Sequence, residues 1–264
     1  KPKYNVPTTT RNKKLSNIIS FRYTITRLEY KQFDFEETLR EIDSVVNQEL
    51  EEMTPMNQFL PISQKGGDIE CAYAGAIAVS VRLSVYDNNY IAGLGKAYEL
   101  VKLMLLDIFR DNSDCLDIIC MGRSFCGIFN TLLKSNIDGL IDTMAKLNAA
   151  LTVLDMKLSE KYKIHVMGNC GCDFGELFRI RSSYKDSAEE KVFESWHGAP
   201  LNMAIIFSEH ARKNDKNGTI ISENVRSNIK DEYKKFFEHY DDALCGYWAS
   251  LVDSDMFKWV KSNR

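Results

Sequence analysis

The side chains of this 264-residue chain able to do chemistry are few and scattered. Seven cysteines lie at positions 71, 115, 120, 126, 170, 172 and 245, an odd number, mostly within apolar segments. That pattern predicts reduced, buried thiols. Cys170-Gly-Cys172 is the closest pair, and no second Cys or His pair stands at zinc spacing, so no metal-thiolate site is expected. The histidines, His165, His197, His210 and His239, are spread apart, and His197 beside Gly198 has no nucleophile or carboxylate neighbour that would make it an acid/base catalyst. Asp173 opens an Asp-Phe-Gly triplet, but without a Gly-rich loop, a strand lysine or a His-Arg-Asp segment it reads as a turn residue. Glu189-Glu190 and Asp241-Asp242 read as solvated acids on loops or helix ends.

The elements that must position any site follow from hydrophobic period. Residues 1–15 are basic and polar without periodicity and read as a flexible tail. An N-terminal arm follows over 16–65: an extended segment Phe21–Tyr30, an amphipathic helix over 34–53, and a linker Met56–Ile69 with Pro61 and Gly-Gly, preceded by Pro55. The main domain, 70–264, alternates strands with helices. Strand signals cover Cys71–Ser84, a hairpin Asp117–Asn130 around Gly122, a strand, turn and strand over Ile164–Ile180, and a short strand Thr219–Ile221. Between them run helices over Lys96–Arg110 and Ile137–Lys161, one leading from Trp196 through His210, and one capped by Ser222. A polar insertion fills Ser182–Lys191. This alternation predicts one sheet domain that mixes strands and helices.

Composition closes off several functions. With 34 basic and 37 acidic residues the net charge is -3, which gives no footprint for DNA or RNA. No apolar run reaches the roughly 18 to 20 residues of a spanning helix, so no membrane partner and a cytoplasmic location are expected.

The order of segments resembles a known family. Val79-Ser-Val-Arg-Leu-Ser84, a helix, Ile118-Ile-Cys-Met-Gly-Arg-Ser-Phe-Cys-Gly-Ile-Phe129, a long helix, Gly171-Cys-Asp-Phe-Gly-Glu-Leu177, and Trp196-His-Gly-Ala-Pro-Leu-Asn-Met-Ala204 before Ile220-Ile-Ser-Glu223 are similar to the class III nucleotidyl cyclase catalytic domain. The likeness is strongest to the bacterial pyrimidine (uridylate or cytidylate) cyclases of Pycsar anti-phage systems, which the ending Tyr240–Val260 also resembles. The resemblance implies an α+β fold, a ferredoxin-like βαββαβ core with extra strands, here preceded by the helical arm. It also implies a head-to-tail dimer with sites between the chains. In such a site two aspartates hold two Mg or Mn ions on a triphosphate, and an Asn and an Arg from the other chain support the transition state.

Placed on this chain, those positions are changed. The first metal aspartate falls on Ser80 and the second on Arg123, a cation with no acceptor. Asn202 keeps the transition-state amide or caps its helix, and Ile206 replaces the Arg or Lys one turn later. The base-reading positions are Ser195 and Ile119. Arg123 either holds a phosphate in place of a metal or pairs with a carboxylate; Arg82 reads as a salt-bridged residue after its strand. No catalytic position is thus expected intact, no metal or other cofactor is expected, and nucleotide contact falls to Asn202, Arg123, Ser195 and Ile119.

The leading expectation is a degenerate pyrimidine-cyclase-like protein that binds nucleotide or a partner cyclase, as homodimer or heterodimer subunit. Two alternatives remain: an active cyclase converting UTP or CTP with a non-standard Mg or Mn site, and a pure interaction scaffold.

Overall fold

A computed structural model of the chain describes residues 35–47, 69–85, 91–186, 189–211, 218–240 and 244–262. The tail, the extended segment Phe21–Tyr30, all but the last residue of the linker and the pair Asp241-Asp242 lie outside the described residues. What is described forms two compact units, one holding α1 (Phe35–Val46) with Lys185, Asp186, Glu189 and Glu190, the other holding the rest from Ile69 onward. On α1, Phe35, Leu39, Ile42 and Val46 recur at steps of three or four, which sets them along one side, and all four are exposed.

The second unit is built on β1 (Ile69–Val85), whose alternating side chains serve two layers. Ile77, Val79 and Val81 point into the larger core; Ala72, Ala74, Ala76 and Ala78 point to the other face. The larger core is closed by α2 (Ile91–Asp111) and α3 (Lys134–Tyr162), which contribute Val101, Leu105, Phe109, Leu140, Met144 and Leu147. Between these helices come β2 (Cys115–Met121) and β3 (Ser124–Asn130), joined at Gly122, whose φ of 59° suits a residue without Cβ.

The next segment departs from expectation. Instead of strand, turn and strand there is one unbroken β4 (Ile164–Asp186), antiparallel to the whole of β1 over Ile164–Ile180, from Ile69 opposite Ile180 to Val85 opposite Ile164. Its glycines make room rather than turns. A methyl at Gly168 would lie 2.4 Å from Leu151 Cδ1, and one at Gly171 would lie 2.1 Å from the Ala204 carbonyl oxygen. The polar insertion is likewise a hairpin: β4 continues to Asp186 and β5 (Glu189–His197) returns beside it, so Glu189-Glu190 begin a strand.

The alanine face of β1 and Gly171 form a shallow trough that lets the backbone of α4 (Ala199–His210) approach closely. Its N-cap is Gly198, at a φ of 144° that glycine tolerates; Asn202 sits inside the first turn, so Asn202 is not the cap. Then come β6 (Thr219–Ser222) and α5 (Glu223–Asn228), which Ser222 caps as expected, its hydroxyl accepting from the Val225 N–H at 3.2 Å. α6 (Asp231–Lys234), β7 (Glu238–His239), β8 (Gly246–Ala249) and α7 (Ser254–Ser262) complete the chain. The eight strands run β2-β3-β1-β4-β6-β8-β7, with β5 paired to β4 alone. The first four, with α2 and α3, make the βαββαβ core; the others extend it. Among the described residues no helix is long and apolar enough to cross a membrane.

Candidate functional site

Sheet register brings the first two site positions together. Ser80 on β1 stands opposite Ser124 on β3 and Asn169 on β4, and the Val81 N–H donates to the Arg123 carbonyl at 2.9 Å. The β2–β3 turn therefore delivers Arg123 directly beside the end of β1. The Ser80 hydroxyl is buried and has no hydrogen-bond partner. Leaving a buried hydroxyl unpaired costs on the order of 1–3 kcal/mol, so the position is strained in energy, though not in geometry.

Three neighbours complete this end of the sheet. Arg82 lies two residues beyond Ser80 on the same face, inside β1 rather than after it, and its Nε is buried without a hydrogen-bond partner. It has no ion pair among the described residues, contrary to its expected salt bridge. Asn169 is buried and accepts from the Gly218 N–H at 3.4 Å. The Arg123 guanidinium donates to Glu209 Oε1 on α4 at 2.9 Å, with both side chains well exposed to water. Pairs so placed contribute about 0–1 kcal/mol and exchange readily.

Hydroxyls, an amide and two guanidinium groups do not suit a pair of divalent cations, which require several oxygens, preferably anionic. Among the described residues no three His, Cys, Asp or Glu side chains converge on a point where a metal could be held. The set is instead rich in donors.

On α4, Asn202 and Ile206 are both exposed, one turn apart on the side away from Ala204 and Phe207. An alkyl chain at Ile206 offers no charge to any bound group. The base-reading pair lies on separate strands. Ile119 on β2 packs against the small-residue core beside Cys126, whereas Ser195 on β5 is exposed, its hydroxyl near the Ile180 carbonyl at 3.5 Å and 2.9 Å from His197 Nε2. Trp196 is the residue that reaches β2, donating from Nε1 to Asp117 Oδ2 at 2.8 Å.

Asp117, on β2 two residues before Ile119, is a buried acid in contact with the residue that follows Ser195. Burial pushes its carboxyl up from the ordinary range, against the opposing hydrogen bonds from Trp196 and the Ile118 N–H. Its signal in the sequence is an acid opening the otherwise apolar run Asp117–Met121. Around it, Arg179 lies 5.6 Å from the Trp196 ring and bonds Glu70 through Nε at 2.6 Å, and Arg181 bonds Glu194 at 2.9 Å. Asp173, expected in a turn, is instead in mid-strand, opposite Ala76 and buried; burial raises its carboxyl, while Ser222 and the Phe174 N–H oppose the rise.

The thiols are free. Burial pushes Cys115, Cys126 and Cys170 up to about 12, which removes nucleophilic thiolate at neutral pH. Cys245 departs from the expected burial and is exposed, in a left-handed conformation with φ of 48°. His165 meets Asp155 at 3.2 Å, outside the site.

Comparison with known proteins agrees with this geometry at the level of fold. No family model matches the chain. A uridylate cyclase from Treponema porcinum is 23% identical over 259 residues, which is 95% of this chain and 88% of that protein. Among solved structures, the adenylyl cyclase CyaB from P. aeruginosa superposes with a TM-score of 0.53 at 12% identity, over 71% of this chain and 97% of the other. A class III adenylyl cyclase-like ATP-binding protein from Pseudomonas aeruginosa also scores 0.53, at 10% identity over 85% of this chain and 48% of its own.

Proposed function

We propose that this chain, whose fold is that of the class III nucleotidyl cyclases, is a catalytically silent relative of the pyrimidine cyclases that binds a nucleotide, a partner cyclase-like chain, or both. Its setting in this reading is the cytoplasm and a Pycsar-like anti-phage signalling pathway, as one half of a head-to-tail dimer. The observation that carries the proposal is Arg123 lying against β1 at Ser80, where the cyclase reaction calls for two carboxylates. Without them, ionisation of a ribose hydroxyl and departure of pyrophosphate lose the charge neutralisation that paired ions supply, worth several kcal/mol. Nor can this chain complete another chain's site, because it brings Asn202 without a cation at Ile206.

Purified protein incubated with each ribonucleoside triphosphate and Mg²⁺ or Mn²⁺ tests the reading. The expected outcome is no cyclic product but a thermal shift with nucleotide. Robust cyclic product that disappears on substitution in the groove overturns it.

The similarity to a uridylate cyclase over 95% of the chain favours a second reading, an active uridylate or cytidylate cyclase with a relocated Mg or Mn site. In that case UTP or CTP with Mn²⁺ yields the 3',5'-cyclic monophosphate in the same assay.

A further inference from the structure

We infer that the end of β1 is a metal-independent polyphosphate site, formed by Ser80, Arg82 and Arg123, with Glu209 as a built-in stand-in for the anion. This rests on the nucleotide-binding reading above and deepens it by naming what replaces the cations.

Three independent observations converge there. The Ser80 hydroxyl is 2% exposed as a residue and donates to nothing. Arg82 shares its face of the sheet two residues on, its Nε is buried without a partner, and no carboxylate pairs with it among the described residues. Arg123 arrives from the β2–β3 turn, its backbone bonded to Val81 between those two residues. All three carry donors. Of the two guanidinium groups, Arg123's is held by Glu209 while Arg82's has no carboxylate partner among the described residues, so this end of the sheet carries a cation without its anion.

The one anion that does reach the position is Glu209, bonded to Arg123 at 2.9 Å from the last turn of α4. Both partners face water, so a phosphate oxygen competes with that carboxylate on even terms and adds donors from Arg82 and Ser80 that Glu209 leaves unused. Several oxygens spaced along a chain match donors spread over three positions better than a single phosphate does. The ligand class is therefore the polyphosphate of a nucleoside triphosphate, held without a divalent ion. Displacing Glu209 also releases a tie between the β2–β3 turn and α4, the helix that carries Asn202 and Ile206.

The test is calorimetry on the full chain with two probes, inorganic tripolyphosphate and UTP, each in EDTA and each with Mn²⁺. The site predicts binding of both in EDTA, weakened about tenfold or more by Arg82→Gln through loss of a charge-assisted donor, and tightened severalfold, to about that same order, by Glu209→Gln. Ser80→Ala weakens binding without lowering the melting temperature, which separates ligation from folding. Binding that appears only with Mn²⁺, or UTP binding indifferent to Arg82→Gln and Glu209→Gln, overturns the site and leaves the nucleotide reading standing. Absence of heat for both probes under both conditions overturns the two together.

Discussion

At the scale of residues, two buried groups at the end of β1, the Ser80 hydroxyl and Arg82 Nε, lack hydrogen-bond partners. Ser80 keeps a hydroxyl where β1 would fold as well with a methyl, so Ser80→Ala should raise unfolding free energy by about 1 kcal/mol in urea titration, since a buried unpaired polar group is removed and no bond is lost. A fall in stability would mean that the hydroxyl has a partner in solution. Asp117 gives a second expectation, through pH. Its folded-state carboxyl is raised above the ordinary range, so the native state holds the proton more tightly than the unfolded chain does. The stability this contributes is fully present below the unfolded pKa and is lost as pH rises through the folded value. Asp117→Asn, which keeps an oxygen for the Trp196 indole, should flatten that part of the pH dependence, so the variant gains on the parent as pH climbs from 4 to 7 in equilibrium unfolding. Parallel curves for the two proteins would place the pH dependence elsewhere, with Asp173 the next group to examine.

At the scale of elements, β4 shows why sequence and structure part company. The alternation of β1 and the three-four spacing of α3 are local signals, and both elements fall where those signals put them, slightly longer at each end. The glycines of Gly168–Gly175 look like turn chemistry because local reading assigns glycine to backbone freedom. Here their purpose is spatial, and the helix that needs the space follows about thirty residues later. Gly171→Ala should therefore destabilise the domain by about 3 kcal/mol or more, because the added methyl meets the Ala204 carbonyl and Ser208 N–H, which are backbone and cannot swing away. Near-wild-type urea stability would show that α4 moves off the sheet at little cost. The same close packing explains why Asn202 sits in the first turn: Gly198, which must clear Glu176 and Leu177, takes the cap.

At the scale of the whole molecule, the order of segments was enough to read the α+β architecture, because five separated motifs constrain each other far more than any one does. The site was legible in part. That Ser80 and Arg123 belong to one locus followed from the resemblance, and register shows them adjacent. Arg82 and Glu209 could not be recognised beforehand. One differs from an ordinary strand arginine only by having no ion-pair partner, and the other enters from α4, 86 positions away from Arg123. Both are facts of tertiary packing, invisible to any window along the chain. Taken together, the fold is a cyclase's scaffold and the end of β1 carries unpaired donors; in the proposed reading a molecule so built binds triphosphates without activating them.

The most direct measurement of that claim is a Mn²⁺ titration followed by electron paramagnetic resonance, with UTP present and the full chain in excess. If the end of β1 holds no metal pair, the free-ion signal falls only by the amount UTP alone removes. Uptake of two further Mn²⁺ ions per chain would contradict it.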